Sequence, residues 1–239
     1  MIESREVKEE YLQKQQLNYH KTQFEKPYRS TYYLGQFIKQ IMETDKKYYA
    51  IDVACGAGAN IYYLSKILPK TAWTGIDWAD IFFDVGRNYL KKLDCILLKG
   101  DLYEVCNHFK PNSFDIAFSI QTLSWLPKYE EALEQLIEIS KKWIIITSLF
   151  TDCEIDAIIK IYQDEFVYNY NIYNFNRFKR FCFNNGIKRI IEQDFRIDID
   201  LPKPEHKKMG TYTVKTIEDE RIQISGPLLM PWKFIALEK

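Results

Sequence analysis

Residues 50–60 read AIDVACGAGAN, an apolar run carrying one acid, Asp52, that passes directly into a turn with Gly56 and Gly58, two of only 9 glycines in the chain. An apolar run of that length stopped by glycine reads as a buried strand, and the residues from about 59 onward as a helix. Glycine at such a junction lets the backbone turn sharply and lets a ligand approach without meeting a Cβ. The same pair also suits a plain tight turn. A dinucleotide fingerprint would need a third glycine at the position of Ile61.

Four further β-rich runs follow, TAWTGID (71–77), CILLK (95–99), FDIAFSI (114–120) and KWIIIT (142–147), after YYAIDVA (48–54) as the first. Helical patterns separate them. The clearest is YEEALEQLIEISKK, in which Tyr129, Leu133, Leu136, Ile137 and Ser140 share one face. Near-continuous apolar strands alternating with helices predict a parallel sheet covered on both sides, with ligands bound beyond the carboxyl ends of its strands. The 239 residues, 46% hydrophobic, suffice for one sizeable core.

Charge and cysteine usage narrow the function classes. Lys plus Arg and Asp plus Glu both number 33, so the chain lacks the basic field that attracts nucleic acid. The clustered basic material is NRFKRF (176–181) and KPEHKK (203–208). The polar opening MIESREVKEEYLQKQQ lacks the apolar centre of a secretory signal, and WIIITSLF is too short to span a bilayer; the expectation is a soluble cytoplasmic protein with no membrane partner. Five scattered cysteines share no ligand spacing with the three histidines, so neither a metal site nor a disulfide framework is expected, and the thiols read as reduced and mostly buried.

The stretch 50–58 resembles motif I of the class I S-adenosylmethionine methyltransferases, matched by Asp52, Gly56 and Gly58, with Ala54 where that family usually has another glycine. The likeness continues through TGIDWAD, where Asp77 ends the second strand. In the family that carboxylate accepts hydrogen bonds from the ribose hydroxyls, a task suited to a group offering acceptors only, and Trp78 could cover the adenine face. The alternative is that Asp77 caps the following helix. In LLKGDLYEV, Gly100, Asp101 and Leu102 match the adenine-binding segment, and Ser119 to Thr122, Gln121 among them, match the strand end that faces the methionine part and the acceptor.

Four matches in order over residues 48–150 imply a Rossmann-like α/β fold: a doubly wound, seven-stranded, mostly parallel sheet. Its sixth strand, within IKRIIEQDFRIDIDL (187–201), would be parallel to the first five, and the seventh, PWKFIALEK, antiparallel between the fifth and sixth. The implied cofactor is S-adenosyl-L-methionine, giving S-adenosyl-L-homocysteine, bound by Asp52, Ala54, Gly56, Gly58, Asp77, Trp78, Asp101, Leu102, Ser119 and Gln121. One domain, 1–239, is expected, with an amino-terminal helical lid (1–43), a core (44–201 and 231–239) and a hairpin insertion (202–230).

A sulfonium methyl is already activated, so the protein has mainly to align a nucleophile and exclude water, without a metal. Two regions are candidates for holding the acceptor. Around Pro27 lie Tyr19, His20, Lys26, Tyr28 and Arg29, ahead of a helix whose Tyr33, Phe37 and Ile41 read as core packing. Within GTYTVKTIEDERIQISG and the residues before it lie His206, Lys207, Lys208 and Tyr212, in a hairpin that either walls the acceptor or simply covers a sheet edge. His20 and His206 are candidate bases, Arg29 a candidate clamp for an anionic group, and Tyr19 and Tyr212 candidate acceptor contacts.

FSIQTL lacks the Asn/Asp-Pro-Pro-aromatic tetrad of many nucleic-acid base N-methyltransferases, which favours a small-molecule acceptor over nucleic acid. The whole chain, tail QISGPLLMPWKF included, also loosely resembles methyltransferases of bacterial capsule and surface-polysaccharide gene clusters. That likeness implies O- or N-methylation of a sugar, nucleotide-linked or phosphate- or phosphoramidate-bearing metabolite by a monomer or homodimer. An RNA or protein methyltransferase, or a noncatalytic partner subunit of the same fold, are the alternatives.

Overall fold

The computed structural model describes residues 19–163, 166–205 and 209–239. Its central sheet is built from β1 (Tyr49–Val53), β2 (Ala72–Asp77), β3 (Cys95–Lys99), β4 (Phe114–Ile120) and β5 (Ser140–Thr151), all parallel to their neighbours. A hairpin β6 (Lys160–Gln163) and β7 (Phe166–Asn169) and the short β8 (Tyr173–Asn174) follow β5; β9 (Arg189–Asp194) completes the far edge. A second antiparallel unit consists of β10 (Thr211–Lys215), β11 (Arg221–Ser225) and β12 (Leu228–Leu229). The last strand, β13 (Trp232–Glu238), lies between β5 and β9, antiparallel to both, which makes the order β3-β2-β1-β4-β5-β13-β9. The doubly wound sheet expected from the sequence is therefore present, with the seventh strand reversed. Chain order changes direction on either side of β1, so the loops after β1 and β4 part and leave a crevice at the carboxyl edge.

Period-two alternation divides each strand between two cores. On one face, Ala50, Trp73, Phe118, Ile145 and Phe234 pack against α1 (Arg29–Ile41), α2 (Ala59–Leu64) and α3 (Phe83–Leu90). On the other, Ile51, Val53, Ile144 and Ile235 pack against α4 (Val105–His108), α5 (Glu130–Ile139) and α6 (Phe175–Asn184). Among the described residues no helix is long and apolar enough to cross a membrane.

Three boundaries differ from the sequence reading. The helix predicted through Lys142 stops at Ile139, because Ser140 to Thr151 form one long strand that β4 and β13 pair from both sides. The sixth strand ends at Asp194, where β13 begins, and the chain then leaves the sheet. The hairpin β6–β7 was not foreseen. The predicted hairpin in 210–226 is present as β10 and β11, and since Trp232 pairs with Leu149 near the end of β5, the connection leading into it lies on the carboxyl edge.

Helix α1, within the expected amino-terminal helical lid, packs one face onto the core. Leu34, Phe37 and Ile38 are at most 2% exposed, and the Phe37 ring lies 6.0 Å from that of Phe234. Its buried stripe is thus one position round from the expected Tyr33, Phe37, Ile41 set, and Tyr33 instead meets Phe195 at 5.7 Å. Truncating Phe37 should leave a cavity the helix cannot close. Phe37→Ala is expected to lower the unfolding free energy in urea by about 3–5 kcal/mol, against about 0.5 kcal/mol or less for Ile96→Ala on the exposed face of β3.

A candidate cofactor and acceptor site

The turn after β1 takes its shape from alternating left-handed backbone: φ is 64° at Ala54, 55° at Gly56 and 86° at Gly58. The N–H groups of Ala54 and Cys55 donate to the Ile76 carbonyl at 2.8 and 3.2 Å, which ties the turn to β2. Ala54 thus occupies, at a cost of about 1 kcal/mol or more, a conformation natural to glycine. Asp77, 7% exposed at the end of β2, accepts the Gly56 N–H through Oδ2 at 2.8 Å and the Ala79 N–H through Oδ1 at 2.9 Å. Asp77 therefore does not cap α3, which begins at Phe83; it fastens the glycine turn to the neighbouring strand. Burial raises its carboxyl above the ordinary value, and the N–H groups of Ala79 and Gly56 oppose that rise.

The two glycines face different surroundings. A Cβ at Gly56 would lie 2.9 Å from His20 Cε1, whereas one at Gly58 would lie 2.9 Å from Leu90 Cδ1 and 3.6 Å from Leu97. Gly58 is thus required by the packing beneath the turn, and Gly56 lies on the side covered by the amino-terminal segment. Gly86 of α3, not singled out from the sequence, lets that helix press on the turn, since a Cβ there would come within 2.1 Å of the Ala57 carbonyl oxygen.

His20 lies in the helical stretch 19–25, over Gly56 and 4.1 Å from the Phe82 ring. Burial pushes its imidazole down to about 4, so at neutral pH it is uncharged and a weak base, placed on the glycine turn. Trp78 is 47% exposed next to Asp77. Asp101 accepts the Tyr103 N–H at 3.0 Å and so caps the 3-10 turn that Leu102 opens. Ser119 is buried at the end of β4, and Gln121 follows it with φ 58°, donating through Nε2 to Ser30 Oγ at 3.2 Å. Between residues 23–31, the start of α2 and Gln121 opens a small cleft whose polar lining is Gln23, Tyr28, Thr31, Asn60 and Gln121. No lining residue is charged.

The other residues expected at the acceptor are dispersed. Tyr19 borders Tyr28, ring to ring at 6.0 Å. Arg29 is held by the Asp198 carboxylate through both Nε and Nη2 and lies 5.0 Å from the Tyr32 ring, so its charge is offset. Tyr212 donates to the Gly226 carbonyl of its own hairpin at 3.3 Å. His206, Lys207 and Lys208 lie outside the described residues. In the basic stretch 176–181, Arg177 is paired with Asp156. Among the described residues, no group of three metal-ligating side chains occurs. All five cysteines are free, but only Cys55 and Cys182 are buried, and Cys153 is exposed; the expectation of mostly buried thiols fails because Cys95, Cys106 and Cys153 lie at element ends and edges.

Asp52 lies beneath the turn, 2% exposed, with Oδ1 lacking a hydrogen-bond partner. Burial first, and Asp77 second, push its carboxyl up to about 8, so the folded chain keeps a proton that the unfolded chain loses from pH 3.8 upward. A raised carboxyl favours the folded state most at acidic pH, and stability should fall as pH rises from 3.8 to about 8. Asp52→Asn should remove most of that fall, read from urea unfolding across the window; an unchanged slope would contradict the assignment.

Comparison with known proteins bears on this site. Residues 50–142 match the model of a family described as methyltransferase domain. A stretch of 82 residues is 35% identical to an 18S rRNA (guanine-N(7))-methyltransferase of Bos taurus, covering 34% of this chain and 27% of that protein. Among solved structures, an O-methyltransferase family protein from Burkholderia thailandensis superposes with TM-score 0.61 at 8% identity, over 100% of this chain and 64% of the other. A chain from the complex of the Haloferax volcanii Trm112 methyltransferase activator and a methyltransferase gives 0.63 at 12% identity, covering 96% of each. A SAM-dependent methyltransferase from Thermotoga maritima gives 0.53 at 15% identity, over 87% and 89%. Residues 50–142 thus resemble a methyltransferase domain, and the strand order agrees with the fold of these solved structures.

Proposed function

We propose that the chain is a cytoplasmic enzyme that moves the methyl group of S-adenosylmethionine to an oxygen or nitrogen of a small molecule, a sugar or nucleotide-linked metabolite of surface-polysaccharide synthesis. The observation that carries the cofactor part is the bond from Gly56 N–H to Asp77 at the carboxyl edge of the sheet. The Asp77 carboxylate accepts from the Gly56 and Ala79 N–H groups, with the Trp78 N–H also directed at it, and a carboxylate has about four acceptor positions, so room remains for a ribose hydroxyl. The cradle fits the cofactor, whose sulfonium supplies a methyl group already activated for transfer. Gly56 lets His20 lie close over the turn, where a Cβ would strike the imidazole, and His20 with Phe82 covers that side of the turn. Gln121, fixed at the end of β4, borders the space where the acceptor would lie.

Nucleic acid is the second reading, favoured by the match to the bovine rRNA methyltransferase. Against it stand the equal numbers of acidic and basic residues and the pairing of Arg177 with Asp156. Calorimetry tests the cofactor part: S-adenosylhomocysteine should bind and NAD should not, and Asp77→Ala should weaken the former by about tenfold or more. Binding that is indifferent to Asp77→Ala would contradict the proposed site.

A further inference from the structure

The carboxylate to which the ribose is assigned is only 7% exposed, so something must move before a hydroxyl can reach Asp77. His20 lies across the approach. Its Cε1 is 2.9 Å from the place of a Cβ on Gly56, in the turn after β1, and its ring centroid is 4.1 Å from that of Phe82, which ends the 3-10 turn Asp80–Phe82 after β2. The imidazole thus spans the two strand ends that the bond between Gly56 and Asp77 joins. A ligand lying between Gly56 and the imidazole would need them about 7 Å apart, two van der Waals contacts of about 3.5 Å each. They are in direct contact, so ligand and imidazole compete for one face of the turn.

The segment that carries His20 is built to move. It is the helical stretch 19–25, on which Phe24, one turn after His20, shares the inward face while Lys21, Thr22 and Glu25 are exposed. Phe24 is 5% exposed, stacked on Tyr89 of α3 at 4.4 Å and edge-on to Tyr62 of α2 at 5.7 Å, and the Tyr89 hydroxyl donates to the Glu25 carboxylate at 3.2 Å. Lys26, Pro27 and Tyr28 are not helical. Beyond them α1 is fixed, by Phe37 in the core and by Arg29 on Asp198. A short helix seated by side chains is therefore joined through three residues to a helix that cannot follow it, and lifting the short one leaves the central packing intact. We infer that His20 is a displaceable plug: the structure is the closed state of the glycine turn, and the cofactor enters when segment 19–25 swings about residues 26–28 and takes the imidazole off Gly56. This rests on the methyltransferase reading and names what controls entry to that site.

The sign of a mutational effect tests this, because a plug and a cover predict opposite changes. S-adenosylhomocysteine is titrated into the full chain and into His20→Ala, His20→Phe and Phe24→Ala, with folding checked by circular dichroism. His20→Ala should bind about 3- to 30-fold tighter than wild type, the gain expected if the wild-type turn is open about 3–30% of the time. Phe24→Ala, which undocks the segment and keeps the imidazole, should associate faster in stopped flow. His20→Phe keeps a ring on Gly56 and should show no gain. In the wild-type chain the Hε1 resonance of His20, assigned by its disappearance in His20→Ala, should lose the ring-current shift from Phe82 when the ligand saturates. Equal or weaker binding by His20→Ala, a gain in His20→Phe as large as in His20→Ala, no faster association by Phe24→Ala, or an unmoved His20 resonance would overturn the plug while leaving the methyltransferase reading in place. No binding by the wild-type chain or by either alanine variant would overturn that reading, and the plug with it.

Discussion

The hydrogen bond between the Gly56 N–H and the Asp77 carboxylate is the contact on which the site depends. It joins the turn after β1 to the end of β2, and so fixes the position of the amino end of α2 relative to the sheet. A parallel pair delivers both strand ends to the same edge, and the reversal of strand order at β1 opens the space beside them. The site is a product of topology first and of individual side chains second.

Keeping that turn in place has a cost that the rest of the fold offsets. Ala54 and Gln121, at the ends of the adjacent strands β1 and β4, both hold left-handed backbone without being glycine. Asp52 carries a carboxyl into the core beneath them, and burial keeps it protonated rather than ionised. The compensation comes from the two cores on either side of the sheet, where Ile51, Ile144 and Ile145 are fully buried, and from α1, whose Phe37 is part of the same packing. Strain and buried polarity are thus gathered at the carboxyl edge, as expected where a ligand has to be received.

How much of this was legible in the sequence follows from which signals are local. Apolar runs ended by Asp77 and by the glycines are local, and the strand positions followed from them. The path of β13 between β5 and β9 came from resemblance, since no local pattern sets pairing order. The surroundings of the expected acceptor residues were not legible because they are set by side chains from segments distant in sequence. Arg29 looked free until Asp198 came beside it, 169 residues away, and Tyr212 turned back on its own hairpin.

A crystal structure of the chain with S-adenosylhomocysteine would test the central claim most directly. The account predicts a ribose hydroxyl within hydrogen-bond distance of Asp77 and the ligand's sulfur turned toward Gln121. A ligand bound away from the β1–β2 edge, or one whose ribose makes no contact with Asp77, would contradict it.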